Sequence, residues 1–265
     1  MRKWLRNPFT LVIVTAVAVA SWLVWCGASE PIYKGKRLSV WLRAYDPVFT
    51  SIGVESGEGA DEALHSIGTN AMPTLFRMLQ AKDSALTIKL VLLAQKQKLI
   101  NFDYVDANRR NYEASEAFQV LGASASNAVP ELIEIYGQNI STESQCLTAN
   151  AIGYIGPAAT NAISGLLRGV KTTNDPVRWN TVWALGKIHG QPELVVPELV
   201  KLLRDPVPKV SRAAFEALGD FGANAGSAVP GLIEMLNDKN RVNRELATNA
   251  LRKIEPLAAA KAGVR

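Results

Sequence analysis

Three stretches of this chain are near copies of one another: VLGASASNAVPELIEIYGQN at 120–139, GYIGPAATNAISGLLRGVKT at 153–172 and GDFGANAGSAVPGLIEMLND at 219–238. Aligned on the residue that opens the second half of each unit, the copies register at Pro73, Pro130, Ser164, Pro197 and Pro230. The last four of these are 34, 33 and 33 residues apart. Recurrence at such a period is the mark of a solenoid, because one unit of this size cannot bury its apolar face alone. Within a unit, VSRAAFEALGDFG (210–222) spaces Val210, Ala214, Ala217, Leu218 and Phe221 at three- and four-residue steps, which predicts an amphipathic helix. A turn of small residues follows. VPGLIEMLND (229–238) then sets Leu232, Ile233 and Leu236 on one face of a second helix.

The punctuation agrees with this reading. Proline suits the first turn of a helix, where its missing N–H would have no partner. Gly156 and Gly222 fall where the first helix must stop and reverse. Asp175-Pro176 and Asp205-Pro206 each place a capping acid before a proline, an expected start for the next first helix. Ala149, Ala151, Ala213, Ala214 and Ala217 let neighbouring helices approach closely. The expected fold is therefore all-α, an α–α superhelix of about five helical hairpins over residues 60–256.

The cadence breaks between Pro73 and Pro130, where an insert near 84–110 contains a long helix over 83–100, capped by Asp83 or Ser84. A loop then leads to a helix ending near Leu121. Residues 30–59 read as a linker and an N-terminal cap helix started by Ser39 and containing Trp41. At the other end, 244–256 reads as a lone first helix, and 257–265 as a short capping tail.

Residues 1–29 have a different character. Arg2, Lys3 and Arg6 precede a run from Asn7 to Ser29 without a charge, rich in Leu, Val, Ile, Ala and Trp. About 20 apolar residues cross a bilayer as a helix, so the run favours an uncleaved anchor. The small residues of Cys26-Gly27-Ala28 leave a cleaved signal peptide, and hence secretion, as the alternative; the bulk of Trp25 disfavours lipidation at Cys26. The cationic start places the N-terminus in the cytoplasm and the repeats outside it, in a single-pass inner-membrane arrangement. Without those three cations the formal charge falls from +5 to +2, too weak a field to favour nucleic acid.

No reaction centre is legible. His65 and His189 lack a second ligand at metal spacing, no glycine-rich phosphate loop departs from the repeat, and no Ser or Cys sits in a nucleophile motif. Neither catalytic residues nor a cofactor or metal site is expected. Cys146 reads as a small filler on a helix.

The ALGxxG…AVPxLxxLL…D cadence at 151–171, 184–205 and 217–238 resembles HEAT-like repeats, in particular the short bacterial kind of the phycobilisome bilin-lyase HEAT-like group. YKGKRLSVWLRAYD (33–46), followed by SIGTNAMPTLFRML (66–79), also looks like membrane-tethered HEAT proteins of environmental bacteria. The resemblance implies an interaction scaffold whose second helices line a concave side. Its alternative implication is a ligand- or nucleic-acid-acting protein, bilin-lyase-like or similar to HEAT-like alkylpurine DNA glycosylases.

Positions that differ between units are not needed for stacking, and two sets stand out as candidates for binding a protein partner. Four residues after each anchor stand Arg77, Glu134, Arg168, Lys201 and Glu234; seven after stand Gln80, Gly137, Lys171, Arg204 and Asn237. The middle units so present Arg168, Lys171, Lys201 and Arg204, flanked by Glu131, Glu134 and Glu234, a pattern suited to an acidic protein segment. The second set is aromatic. Trp179 and Trp183 lie one turn apart, and Tyr154 belongs to the preceding unit; sister units place mostly polar residues at these positions.

Overall fold

In the computed structural model, which describes residues 30–45, 58–96 and 104–261, five helical hairpins follow one another. They are α2 (Glu58–Ile67) with α3 (Met72–Leu79), α5 (Ala107–Leu121) with α6 (Val129–Gly137), α7 (Thr142–Ile155) with α8 (Ile163–Gly169), α9 (Asp175–Ile188) with α10 (Pro192–Leu202), and α11 (Pro208–Phe221) with α12 (Val229–Met235). A further first helix, α13 (Arg241–Ile254), closes the series. Where a tail is expected, Pro256–Lys261 forms a short helix, α14, and buries Ala259. The hairpins are preceded by strands β1 (Ile32–Tyr33) and β2 (Lys36–Arg37), paired antiparallel, and by α1 (Leu38–Leu42). The insert contributes the separate helix α4 (Ala85–Lys96). The anchor expected at residues 1–29 lies outside the described residues, as do 97–100 of the expected insert helix. Among the described residues, no helix is long and apolar enough to cross a membrane.

One apolar core runs without interruption from Leu38 to Ala259, as stacking requires. The principal helix contacts join first helices of consecutive hairpins: α5 to α7, α7 to α9, α9 to α11 and α11 to α13. Small residues set this approach. A Cβ added at Gly153 would stand 3.0 Å from the Cα of Ala184, and one at Gly186 would stand 2.8 Å from the Cα of Ala217. Gly219 repeats the arrangement against Ala250 at 3.8 Å. Each glycine of this ladder faces an alanine of the next unit, both at the 33-residue period.

A second periodic feature closes the ends of the second helices, whose last carbonyls have no partner within the helix. At the same register of each following first helix stands a side-chain donor aimed at a carbonyl in the last turn or just beyond it. Asn111 donates to Met78 O and Leu79 O at 2.6 and 3.0 Å, and Gln145 to Tyr136 O at 3.3 Å. Arg178 donates to Thr172 O at 2.8 Å, Ser211 to Leu203 O at 3.1 Å and Arg244 to Asp238 O at 2.8 Å. The residue type varies while the donor function stays.

Several local expectations need correction. Asp175 and Asp205 are not N-caps. Asn174 caps α9 through Val177 N, with Asp175 inside the first turn. Asp205 instead accepts from Val207 N at 2.9 Å, closing the turn before α11. Aspartate readily makes such a turn two residues ahead of itself, and this competes with capping. Ser39 lies within α1 rather than before it; Glu30 reaches across to accept from its hydroxyl at 2.6 Å. In the insert, Ser84 is the residue that bonds Thr87 N, while Asp83 accepts from Ala107 N, Tyr104 and Arg110.

Pro197 does not open its helix but sits inside α10, which begins at Pro192. The reason lies in the preceding turn. Gly122, Gly156 and Gly222 end their helices at positive φ with ψ near −140° (−134°, −143° and −137°), a region essentially reserved to glycine. His189 occupies the same register and cannot enter it. It takes the left-handed conformation instead (φ 35°, ψ 36°), Gln191 follows at φ 48°, and the chain rejoins the pattern through an earlier helical start.

Candidate functional site

The charged candidates stand on the layer of second helices. Arg168 lies in the last turn of α8 with Lys171 just beyond it, and Lys201 lies in α10 with Arg204 just beyond that. All four are exposed. Local acids interleave with them. Lys201 Nζ donates to Glu198 Oε1 at 2.7 Å, and Arg204 bridges to Glu234 of the next hairpin at 3.1 Å. The hydrogen bond from Lys201, with the charges of Lys201 and Lys171 behind it, holds the Glu198 carboxyl below its usual range. Lys201, Arg204 and Glu234 remain about two-thirds exposed. Pairs so open to water contribute little to stability and exchange partners readily. Among the described residues neither Arg168 nor Lys171 is in a salt bridge.

Between α10 and α12 runs a crevice of about 240 Å³, floored by Val200, Leu203, Gly231 and Met235 and rimmed by Lys201, Arg204 and Glu234. Gly231 keeps it open, since a Cβ there would stand 3.2 Å from Val200. The arrangement offers an apolar slot edged by two cations and one acid.

The aromatic candidates belong to the first-helix layer, so the two sets do not meet in one site. The Trp183 ring covers Gly153 of the preceding unit and meets Tyr154 edge-on, centroids 5.2 Å apart. Lys187 stands over the same ring at 5.8 Å, and Lys209 over that of Trp179 at 5.4 Å. Further along the register of Tyr154, aromatic contact gives way to charge: Asp220 takes Lys187 at 2.8 Å and Lys253 at 3.6 Å. The three aromatics are half-buried. They stitch consecutive units while leaving an edge exposed.

One buried group escapes the sequence reading. Glu113, within α5, is 1% exposed, and its Oε1 has no hydrogen-bond partner. Burial drives its carboxyl up to about 7, against the opposing pull of Arg109, Arg43 and Arg110. Its counterparts in the following units, Leu147, Asn180 and Ala213, are buried as well, so the repeat register is the signal that could have found it. Cys146 is buried and free, its thiol pushed up to about 11 by burial, as befits a packing residue. No cluster of potential metal ligands occurs among the described residues.

Residues 189–252 match the family of HEAT repeats. A comparison with curated proteins finds no match. Three solved structures, each a crystal structure of an engineered protein, are similar to this chain. The first is 17% identical over 85% of this chain and 97% of its own, with a TM-score of 0.43. The second is 17% identical over 83% and 99%, at 0.46; the third is 19% identical over 85% and 71%, at 0.43. The family match over 189–252 and the stacked hairpins support a HEAT-like repeat protein.

Proposed function

We propose that this chain is a non-enzymatic protein-interaction scaffold, held to the membrane by residues 1–29 and displaying its repeats outside the cytoplasm. The observation that carries the binding reading is the second-helix face. The layers beneath repeat the same small and apolar residues, while the exposed register changes sign from Glu134 to Arg168 and Lys201 and back to Glu234. A stack needs no such variation; a surface that selects a partner uses it. A preformed surface of this kind loses little entropy on binding an extended segment. Arg168 and Lys171 supply cations outside salt bridges, and an acidic segment displaces Glu198 and Glu234 from Lys201 and Arg204 while an apolar side chain enters the slot beside Gly231. A nucleic-acid reading is disfavoured by the near-neutral body and by the acids threaded through the cationic stripe.

A photo-crosslinking residue at Asn237, with the full chain in its native membranes, tests the proposal. The double change Lys201→Glu and Arg204→Glu abolishes the adduct if the face selects an acidic segment. An adduct of unchanged identity and yield sinks that reading. Resistance of the chain to alkaline carbonate extraction tests the tether separately.

A further inference from the structure

The insert helix α4 is built the wrong way round for a helix facing water. Its outward arc, about 160° wide at 100° per residue, carries Leu86, Ile88, Leu92 and Leu93, exposed by 66, 47, 56 and 51%, and, as far as Leu93, one charge, Lys89. Thr87, Leu90 and Val91, on the opposite side, are only half-buried. A cleft of about 590 Å³ separates α4 from the start of α5, with Ile88 and Leu92 at its lip and Leu86 and Leu93 turned away from it, so the helix stands proud of the stack. Soluble surfaces rarely expose so many large aliphatic groups together.

The charge around the patch points to what covers it. α4 contains no acid. Lys82 and Lys89 are exposed, whereas the two carboxylates that line the cleft beside α4 are engaged elsewhere: Asp83 with Arg110, Tyr104 and Ala107 N, and Asp106 in capping α5 through Arg109 N. Aliphatic side chains bordered by lysines that can extend to headgroups form the surface that lies in a membrane interface.

We propose that α4 is a second membrane contact, resting its outer arc in the headgroup region of an anionic bilayer and so fixing how the repeats are presented. The inference goes beyond the scaffold reading but rests on its tether, because a tether holds α4 close to the bilayer and makes a weak contact effective.

The test uses the full chain in phosphatidylcholine vesicles, with and without phosphatidylglycerol. An environment-sensitive fluorophore is placed at Leu92→Cys in a Cys26→Ser background, and a control fluorophore at Asn237→Cys. The proposal expects the label at 92 to be blue-shifted and quenched severalfold more by a lipid-borne quencher than by aqueous iodide, more strongly with phosphatidylglycerol, while the label at 237 stays aqueous. Adding Leu93→Glu returns the label at 92 to water. If the chain floats with vesicles but the label at 92 remains open to iodide, the tether stands and the α4 contact is refuted. A label shielded from both quenchers overturns the lipid contact in favour of a protein cover. A chain that does not float removes the tether and the inference together.

Discussion

The glycine ladder between first helices allows the stacking argument to be tested with one methyl group. In Gly186→Ala the new Cβ would fall 2.8 Å from both Cα and Cβ of Ala217, where non-bonded carbons prefer about 3.5–4.0 Å. α9 and α11 must then part by about 1 Å, loosening one of the principal interfaces of the stack. Overpacking of this kind costs about 1–3 kcal/mol, against a gain of about 1 kcal/mol from replacing glycine by alanine inside a helix. The net expectation is a loss of up to about 2 kcal/mol. The control is the same chemical change at Gly137, the last residue of α6, where nothing lies within 4 Å of an added Cβ; there the change should stabilise by about 0.4–1 kcal/mol. Because a solenoid can unfold unit by unit, urea unfolding of the full chain should be read beside amide hydrogen exchange. Gly186→Ala accelerates exchange in α9 and α11, and Gly137→Ala does not. If Gly186→Ala stabilises the chain as much as Gly137→Ala, close approach of first helices is not what holds the units together.

Glu113 predicts a pH dependence of definite sign. Its folded value, about 7, lies above the ordinary 4.5, so the folded chain holds the proton more tightly. The stabilisation is complete below pH 4.5 and is lost as pH rises through 7; the whole effect is about 3 kcal/mol. Glu113→Gln should therefore exceed the wild type in stability at pH 8 and lose that advantage near pH 4.5, as urea midpoints at the two pH values will show. At the first-helix stops, Gly156→Ala forces a side chain into φ 69°, ψ −143° and should cost about 1–3 kcal/mol, whereas His189→Gly relieves a left-handed residue and should raise the thermal midpoint.

The parts of this fold legible in the sequence are those set by residues acting on their own backbone or on the same register of a neighbour. Glycine at 156 and 222, proline at 73, 130 and 230, and the small residues of the first helices impose one geometry wherever they recur, so the period alone reveals hairpins and stack. The donors at 111, 145, 178, 211 and 244 were hidden because asparagine, glutamine, arginine and serine share a function there and not an identity. Cap positions slipped because Asn174 takes the cap one residue ahead of Asp175, while Asp205 is engaged in the turn before α11. Glu113 was overlooked for a different reason: its counterparts in the following units, Leu147, Asn180 and Ala213, are buried, so the repeat register marked the position as internal although the residue type did not. The same distinction bears on the candidate site. Trp183 breaks the period, yet it fills the space above Gly153, so part of its departure from the repeat is explained by packing. Arg168, Lys171, Lys201 and Arg204 vary in register with their heads in water and fill no such space. Variation that packing does not explain is the ground on which a partner site is proposed along the second-helix face.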